Sequence, residues 1–135
     1  MYKKIVVPID LSHQERIDSM IAAAKVLAAG GKAVLVHVVE DIPAFVAAQI
    51  PEDVVKDTQS SAETRLKEVA AASGLDAEID VRHGHAANTI LDIAEEKGAD
   101  CIVIASHKPH WEDYLIGSTA ARVVRHAKCA VHVLR

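Results

Sequence analysis

Short apolar runs alternate along the chain with longer stretches whose apolar residues recur every three or four positions. Residues 5–9, 33–39, 100–105 and 129–134 are rich in β-branched and aliphatic residues and read as strands. Residues 77–82 alternate apolar with polar, the pattern of a half-exposed edge strand. Between these runs lie four helical patterns. The first, after Ser12, sets Ile17, Met20, Ile21, Ala24, Leu27 and Ala28 on one face. The second, over 52–73, turns Val55, Ala62, Leu66, Val69 and Ala70 inward. The third, within 84–97, presents Ile90, Ile93 and Ala94. The fourth opens at Gly117-Ser118 and presents Ala120, Val123, Val124 and Ala127. Ser12 and Glu15 have the spacing of a capping box. Gly30-Gly31, Gly74 and Gly98 are stop signals, and Arg125, His126 and Lys128 suit the last helix's negative end.

Strands separated by helices predict right-handed crossovers and an α/β fold: an open parallel five-stranded sheet with helices on both faces. Ligands of such sheets bind beyond the carboxyl ends of the strands, where strand order reverses. The residues expected there are Asp10, Glu40, Gly84 and Ser106, after strands one to four in turn. The connection 40–51 is unusually apolar, with Ile42, Phe45, Val46 and Ile50 between prolines. It reads equally as a lid or contact surface and as a short extra helix.

At 135 residues the length predicts one domain over 1–135, and half of the residues are hydrophobic. The formal charge of −4, without a basic run, argues against nucleic-acid binding. The start lacks a signal-peptide pattern, and no span of about 18 apolar residues occurs, so no membrane insertion and a cytoplasmic location are expected. Cys101 and Cys129 sit in apolar runs without metal or redox spacing and read as small buried hydrophobes.

The candidate chemistry centres on residues 101–119. A buried strand, a polar loop with Ser106, His107, Lys108 and His110, and a helix start at Gly117-Ser118-Thr119 make a candidate phosphate site. Gly117 allows close backbone approach or a positive φ; Ser118 and Thr119 add hydroxyls, although Ser118 could be a plain N-cap. Asp10 can accept from ribose hydroxyls or a base amine, or close an Asx turn before Ser12. His107, Lys108 and His110 read as donors near phosphates or as solvated loop residues, since a third metal ligand is missing from the pattern. His83 and His85 are expected at the cleft rim, His37 and His132 as strand histidines, and His13 and His126 as helix-end residues. No P-loop, GxGxxG or nucleophile elbow occurs, and the clustered acids of a phosphoacceptor are missing.

These residues carry a resemblance. Residues 101–134 resemble the carboxyl-terminal signature of the universal stress proteins: a strand, Gly-x2-Gly-x9-Gly-Ser/Thr, a helix and a last strand. Tyr2 to Ser12, His37-Val38 and residues 90–104 are similar to other parts of the family, so the likeness covers essentially the whole chain, most weakly over 41–75. The family implies a sheet in the order 3-2-1-4-5, of the adenine-nucleotide alpha-hydrolase-like type, and commonly a dimer. Many members bind ATP between strands one and four. On matching positions, Pro8, Ile9, Asp10 and Val38 would hold adenine and ribose, Ala105, Ser106 and His107 would line the phosphates, and Gly117, Ser118 and Thr119 would cradle them. The front of the motif departs from the family pattern. Its first two glycines fall on Ile104 and His107, or with one gap on Ala105 and Lys108. Side-chain donors of Ser106, His107 and Lys108 would then replace them.

The resemblance therefore implies an adenine nucleotide as ligand, ATP first with AMP and ADP as alternatives, and Mg²⁺ or Mn²⁺ held through the phosphates. It also implies a homodimer; the apolar edge strand five (129–134), with backbone amides left unpaired, is where pairing is expected. A nucleotide-binding stress sensor or regulator is the leading reading, because no acid–base constellation appears. A slow ATPase or a phosphoryl or nucleotidyl transferase, and a nucleotide-free structural dimer, are the alternatives.

Overall fold

The computed structural model describes residues 1–40, 44–106 and 116–135. Strands β1 (Lys4–Pro8), β2 (Lys32–Glu40), β3 (Ala77–Gly84), β4 (Cys101–Ala105) and β5 (Ala130–Leu134) form one parallel sheet in the order β3-β2-β1-β4-β5. Helices α1 (Gln14–Leu27), α2 (Ala44–Ala47), α3 (Glu52–Ser73), α4 (Ala86–Lys97) and α5 (Ser118–His126) fill the connections. The parallel sheet and its strand order are those expected. The short helix α2 answers the apolar connection at 44–47; residues 41–43 lie outside the described residues.

The strand period of two divides the core. Ile5, Val7, Leu35, Cys101 and Val103 face one side and pack with Ile17, Met20 and Ala24 of α1 and Ala62 and Leu66 of α3. Val6, Val34, Val36, Ile102 and Ile104 face the other and meet Ala87, Ile90 and Ile93 of α4 and Ala120 and Val123 of α5. Ile5, Val6 and Val7 have no exposed surface at all, so β1 is covered on both faces. Each such aliphatic side chain contributes about 1.5–3 kcal/mol by burial. The thiols behave as part of this core. Burial pushes the Cys101 thiol up to about 11 and raises that of Cys129 as well, so neither is a thiolate at neutral pH.

Three local expectations are corrected. The Ser12–Glu15 capping box does not form: α1 starts at Gln14, with His13 at its N-cap and no side-chain cap. The Ser12 amide and hydroxyl instead both donate to Asp10 Oδ1, so the Asx turn wins the competition for Ser12. Val55 is exposed because positions 51–58 are all exposed, and the first two turns of α3 stand clear of the sheet. Val124 of α5 also faces outward, while Val123 takes the core position.

Glycine is required by crowding at Gly31, where a Cβ would sit 2.5 Å from the Tyr2 carbonyl oxygen. Gly74 and Gly98 close α3 and α4 in the left-handed conformation. At the amino ends of the strands Asp100 ties β4 to β1. Its carboxylate accepts from the amides of Lys3 at 2.9 Å and Lys4 at 3.1 Å, and its own amide donates to the Lys4 carbonyl at 3.0 Å.

The Lys3 amide bond is the main cause that holds the Asp100 carboxyl below its usual range; partial burial opposes it and the Lys4 amide adds to it. A lowered folded pKa gives stability that is full above the ordinary carboxyl value and lost as pH falls through the folded one. Asp100→Asn keeps one acceptor but does not titrate there. The stability gap between parent and variant should narrow between about pH 7 and about pH 3, as read from urea midpoints.

Candidate functional site

The strand order reverses at β1: the chain moves from β1 to β2 and β3 on one side, then returns to place β4 and β5 on the other. A cleft of about 420 Å³ opens at the carboxyl ends of these central strands. Its size is that of a small-molecule site. Pro8, Ile9 and Asp10 leave β1 along its floor. Val36, His37, Val38 and Glu40 come from β2, and Ile104 and Ala105 from β4. Gly117, Ser118, Thr119 and Ala120 form the wall at the start of α5.

The β1 exit is fixed by several bonds. The Ile9 amide donates to the Val36 carbonyl at 2.7 Å, and His37 Nδ1 lies 3.1 Å from the Ile9 carbonyl oxygen. A carbonyl only accepts, so Nδ1 carries the proton. Arg65 of α3 donates to the Leu11 carbonyl at 2.7 Å. Asp10 is thereby presented on a held turn. Burial raises its carboxyl pKa, but the hydrogen bonds from the Ser12 side chain and backbone outweigh that and leave it lowered. It is an ionised acceptor at neutral pH. Ser12 occupies Oδ1, and Oδ2 lies 3.9 Å from His13 Nε2.

The opposite wall is built by Ser106. Its amide donates to the Leu134 carbonyl at 2.8 Å, which docks the end of β4 on β5. Its hydroxyl, buried behind the wall, accepts from the Gly117 amide at 2.8 Å. Gly117 is the N-cap of α5 and caps nothing by a side chain. Ser118 is therefore the first helical residue rather than the cap. Its amide and those of Thr119 and Ala120 begin the helix, and all three residues line the cleft. Gly117 has φ −64°, so its backbone does not need glycine. Among the described residues a Cβ there would meet nothing nearer than Ser106 Oγ at 3.9 Å. The expectation of a positive φ is corrected.

Pro8, Ile9, Asp10, Val38, Ala105, Gly117, Ser118 and Thr119 thus line one cleft, with Ser106 just behind it. His107, Lys108 and His110 lie outside the described residues. His83 and His85 do not line the cleft: His83 Nε2 meets Gln59 Oε1 at 3.0 Å, and His85 is the N-cap of α4. Gly84 does not line it either, whereas Glu40 does. Of the lining residues not read from the sequence as site residues, three are polar or charged: His13 at the N-cap of α1, Arg16 of α1, and His37. Among the described residues no three His, Cys, Asp or Glu side chains gather as a metal-ligand set, and no helix is long and apolar enough to cross a membrane.

A profile of the Universal stress protein family matches residues 1–135. The chain belongs to the universal stress protein family. It is 34% identical to Universal stress protein G of Salmonella typhimurium and 32% identical to that of Shigella flexneri, each over the whole of both chains. The solved structure of the hypothetical protein MJ0577 matches it with a TM-score of 0.81 at 23% identity, covering 99% of this chain and 96% of the other. A universal stress protein solved in complex with cAMP matches with a TM-score of 0.71 at 21% identity, covering 99% and 97%. One from Archaeoglobus fulgidus, in complex with dAMP, matches with 0.67 at 21%, covering 99% and 98%. At these identities the structural matches establish the shared fold of the family.

The Ser106 hydroxyl is the support most exposed to test in this stress-protein cleft. Ser106→Ala leaves the Gly117 amide without its acceptor and should cost about 1–3 kcal/mol of stability. Chemical denaturation of the variant, beside a Ser106→Thr control that keeps the hydroxyl, measures it.

Proposed function

We propose that this stress protein binds an adenine nucleotide in the cleft between β1 and β4, ATP first, and acts as a dimeric sensor or regulator in the cytoplasm. One observation carries the reading. The ionised Asp10 carboxylate and the uncapped start of α5 line the same cleft. A carboxylate suits ribose hydroxyls; amides at a helix start suit phosphate. The apolar residues Val36, Val38, Ala86 and Ile90 offer a flat ring its contact surface. Two relatives of the same fold were solved with cAMP and with dAMP, which supports the ligand class. His107 and Lys108 would add donors to the phosphates. Mg²⁺ or Mn²⁺ would be held chiefly by the phosphates themselves, since Asp10 and Glu40 are the carboxylates lining the described cleft.

Gly117→Val tests the seat. Among the described residues the site has room for a Cβ, and its φ is one that any residue adopts, so the variant should fold with its thermal midpoint little changed. Calorimetry should show ATP affinity reduced at least about tenfold, because the branched side chain occupies the space of a phosphate. ATP binding equal to that of the parent would reduce Gly117 to a turn residue. Absence of ATP binding by the folded parent at millimolar concentration would end the adenine-nucleotide reading.

The homodimer is proposed through β5. This strand is at the sheet's edge. Leu134 O accepts from Ser106, so by strand alternation Leu134, His132 and Ala130 turn their backbone groups to β4. The amides of Val131 and Val133 then point away from the sheet, available to a second copy. Val131→Pro removes one outward amide and leaves the β4 ladder intact. Light scattering at micromolar concentration should give the mass of two chains for the parent and of one chain for the variant.

A further inference from the structure

His37 is bonded at one ring nitrogen and open at the other. Its Nδ1 donates to the Ile9 carbonyl oxygen at 3.1 Å, so in the neutral ring Nε2 carries a lone pair and accepts. Among the described residues Nε2 has no partner, and no buried side-chain nitrogen or oxygen lacks one, so Nε2 reaches accessible surface. The surface that His37 lines is the cleft.

The sheet explains that placement. β1 ends at Pro8, opposite Val36, and the Ile9 amide closes the pairing on the Val36 carbonyl at 2.7 Å. β2 runs on past that point to Glu40. His37 is the first of its residues beyond the pairing, and alternation sets it on the face of Leu35, which α1 and α3 pack. The carbonyl that receives Nδ1 belongs to the peptide joining Ile9 to Asp10, so the ring is pinned beside the Asp10 backbone. The Asp10 carboxylate is partly used. Its Oδ1 already accepts from the Ser12 amide and hydroxyl, while Oδ2 lies 3.9 Å from His13 Nε2, beyond hydrogen-bond range. A vicinal diol brings two donors, and Asp10 Oδ2 and His37 Nε2 are two acceptors held at the same strand exit.

We infer that His37 is the residue by which this cleft recognises the ribose of its ligand, with Nε2 accepting from one hydroxyl of the diol and Asp10 from the other. This rests on the adenine-nucleotide reading and deepens it, by making the sugar a point of selection. A site built to hydrogen-bond a hydroxyl rejects the analogue that lacks it, because its own polar atoms are then left unpaired. A ribonucleotide is held on this account and its dideoxy analogue is not.

The test is calorimetry of the full chain with ATP and with 2′,3′-dideoxy-ATP, at about pH 8, above the ordinary imidazole range. The parent should bind ATP at least about tenfold more tightly than the dideoxy analogue. His37→Asn puts an amide nitrogen where Nδ1 was, which keeps the bond to Ile9 and removes the cleft nitrogen, so its thermal midpoint should stay near that of the parent. It should weaken ATP about three- to tenfold and the dideoxy analogue less than about twofold. His37→Phe loses both nitrogens and should show the same split together with a lowered midpoint. Equal affinity of the parent for the two ligands, equal losses for both in His37→Asn, or no loss for either overturns the ribose role of His37 while the nucleotide reading stands. A folded parent that binds neither ligand overturns the nucleotide reading and this inference with it.

Discussion

Burial of β1 on both faces is the constraint from which the remaining architecture follows. Ile5 and Val7 are packed by α1 and α3, and Val6 by α4 and α5. A strand enclosed in this way admits no polar side chain along its length. Polar function is displaced to where the strand stops, at Pro8, Ile9 and Asp10. The same enclosure requires layers of helix above and below, and right-handed crossovers place the two pairs on opposite faces only if the chain reverses direction at β1. The reversal separates α1 from α5 and opens the cleft between their first turns. Packing and site therefore have one cause.

The sheet was legible in the sequence because its signal is dense. Aliphatic runs mark the buried strands, and the order of elements leaves few topologies. The strand order itself came from the family resemblance. Errors fell where single side chains compete for the backbone or where a helix outruns its support. Ser12 has the spacing of a cap, yet Asp10 lies two residues away and takes both its amide and its hydroxyl. Val55 has the right phase for the core, but phase does not say where the sheet beneath a helix ends. Val124 lost its place to Val123 because adjacent residues of a nine-residue helix cannot both face the sheet.

The site was legible in part, for a related reason. Asp10 and Gly117-Ser118-Thr119 stand at element ends, where chain order alone puts them beside one another. The sequence marks His13 only as a helix-end residue and gives Arg16 no role. The signal was present in the spacing of His13, Arg16 and Met20, but it emerges only once the rotation of α1 is set by Ile17. His37 sits mid-pattern in β2, and its partner is the carbonyl of Ile9, just past the end of β1. No reading of one segment finds a bond whose two halves are 28 positions apart.

The cleft's two walls and floor are chemically unlike. The floor presents an ionised carboxylate at Asp10, held low by Ser12 against the effect of burial. The α5 wall presents amides without a side-chain cap, which carry the positive end of a helix dipole. Hydrogen-bond donors are favoured at the first and acceptors or anions at the second. A symmetric ligand gains from one of these and is repelled or left unpaired at the other. A ligand that is a hydroxyl donor at its centre and an anion at its end satisfies both, in one orientation only. Net charge does not forbid this in a chain of formal charge −4, because the fields that act are local. For the proposed ligand, specificity would reside in the distance and direction between Asp10 and the start of α5, both of which are fixed by the packing of β1.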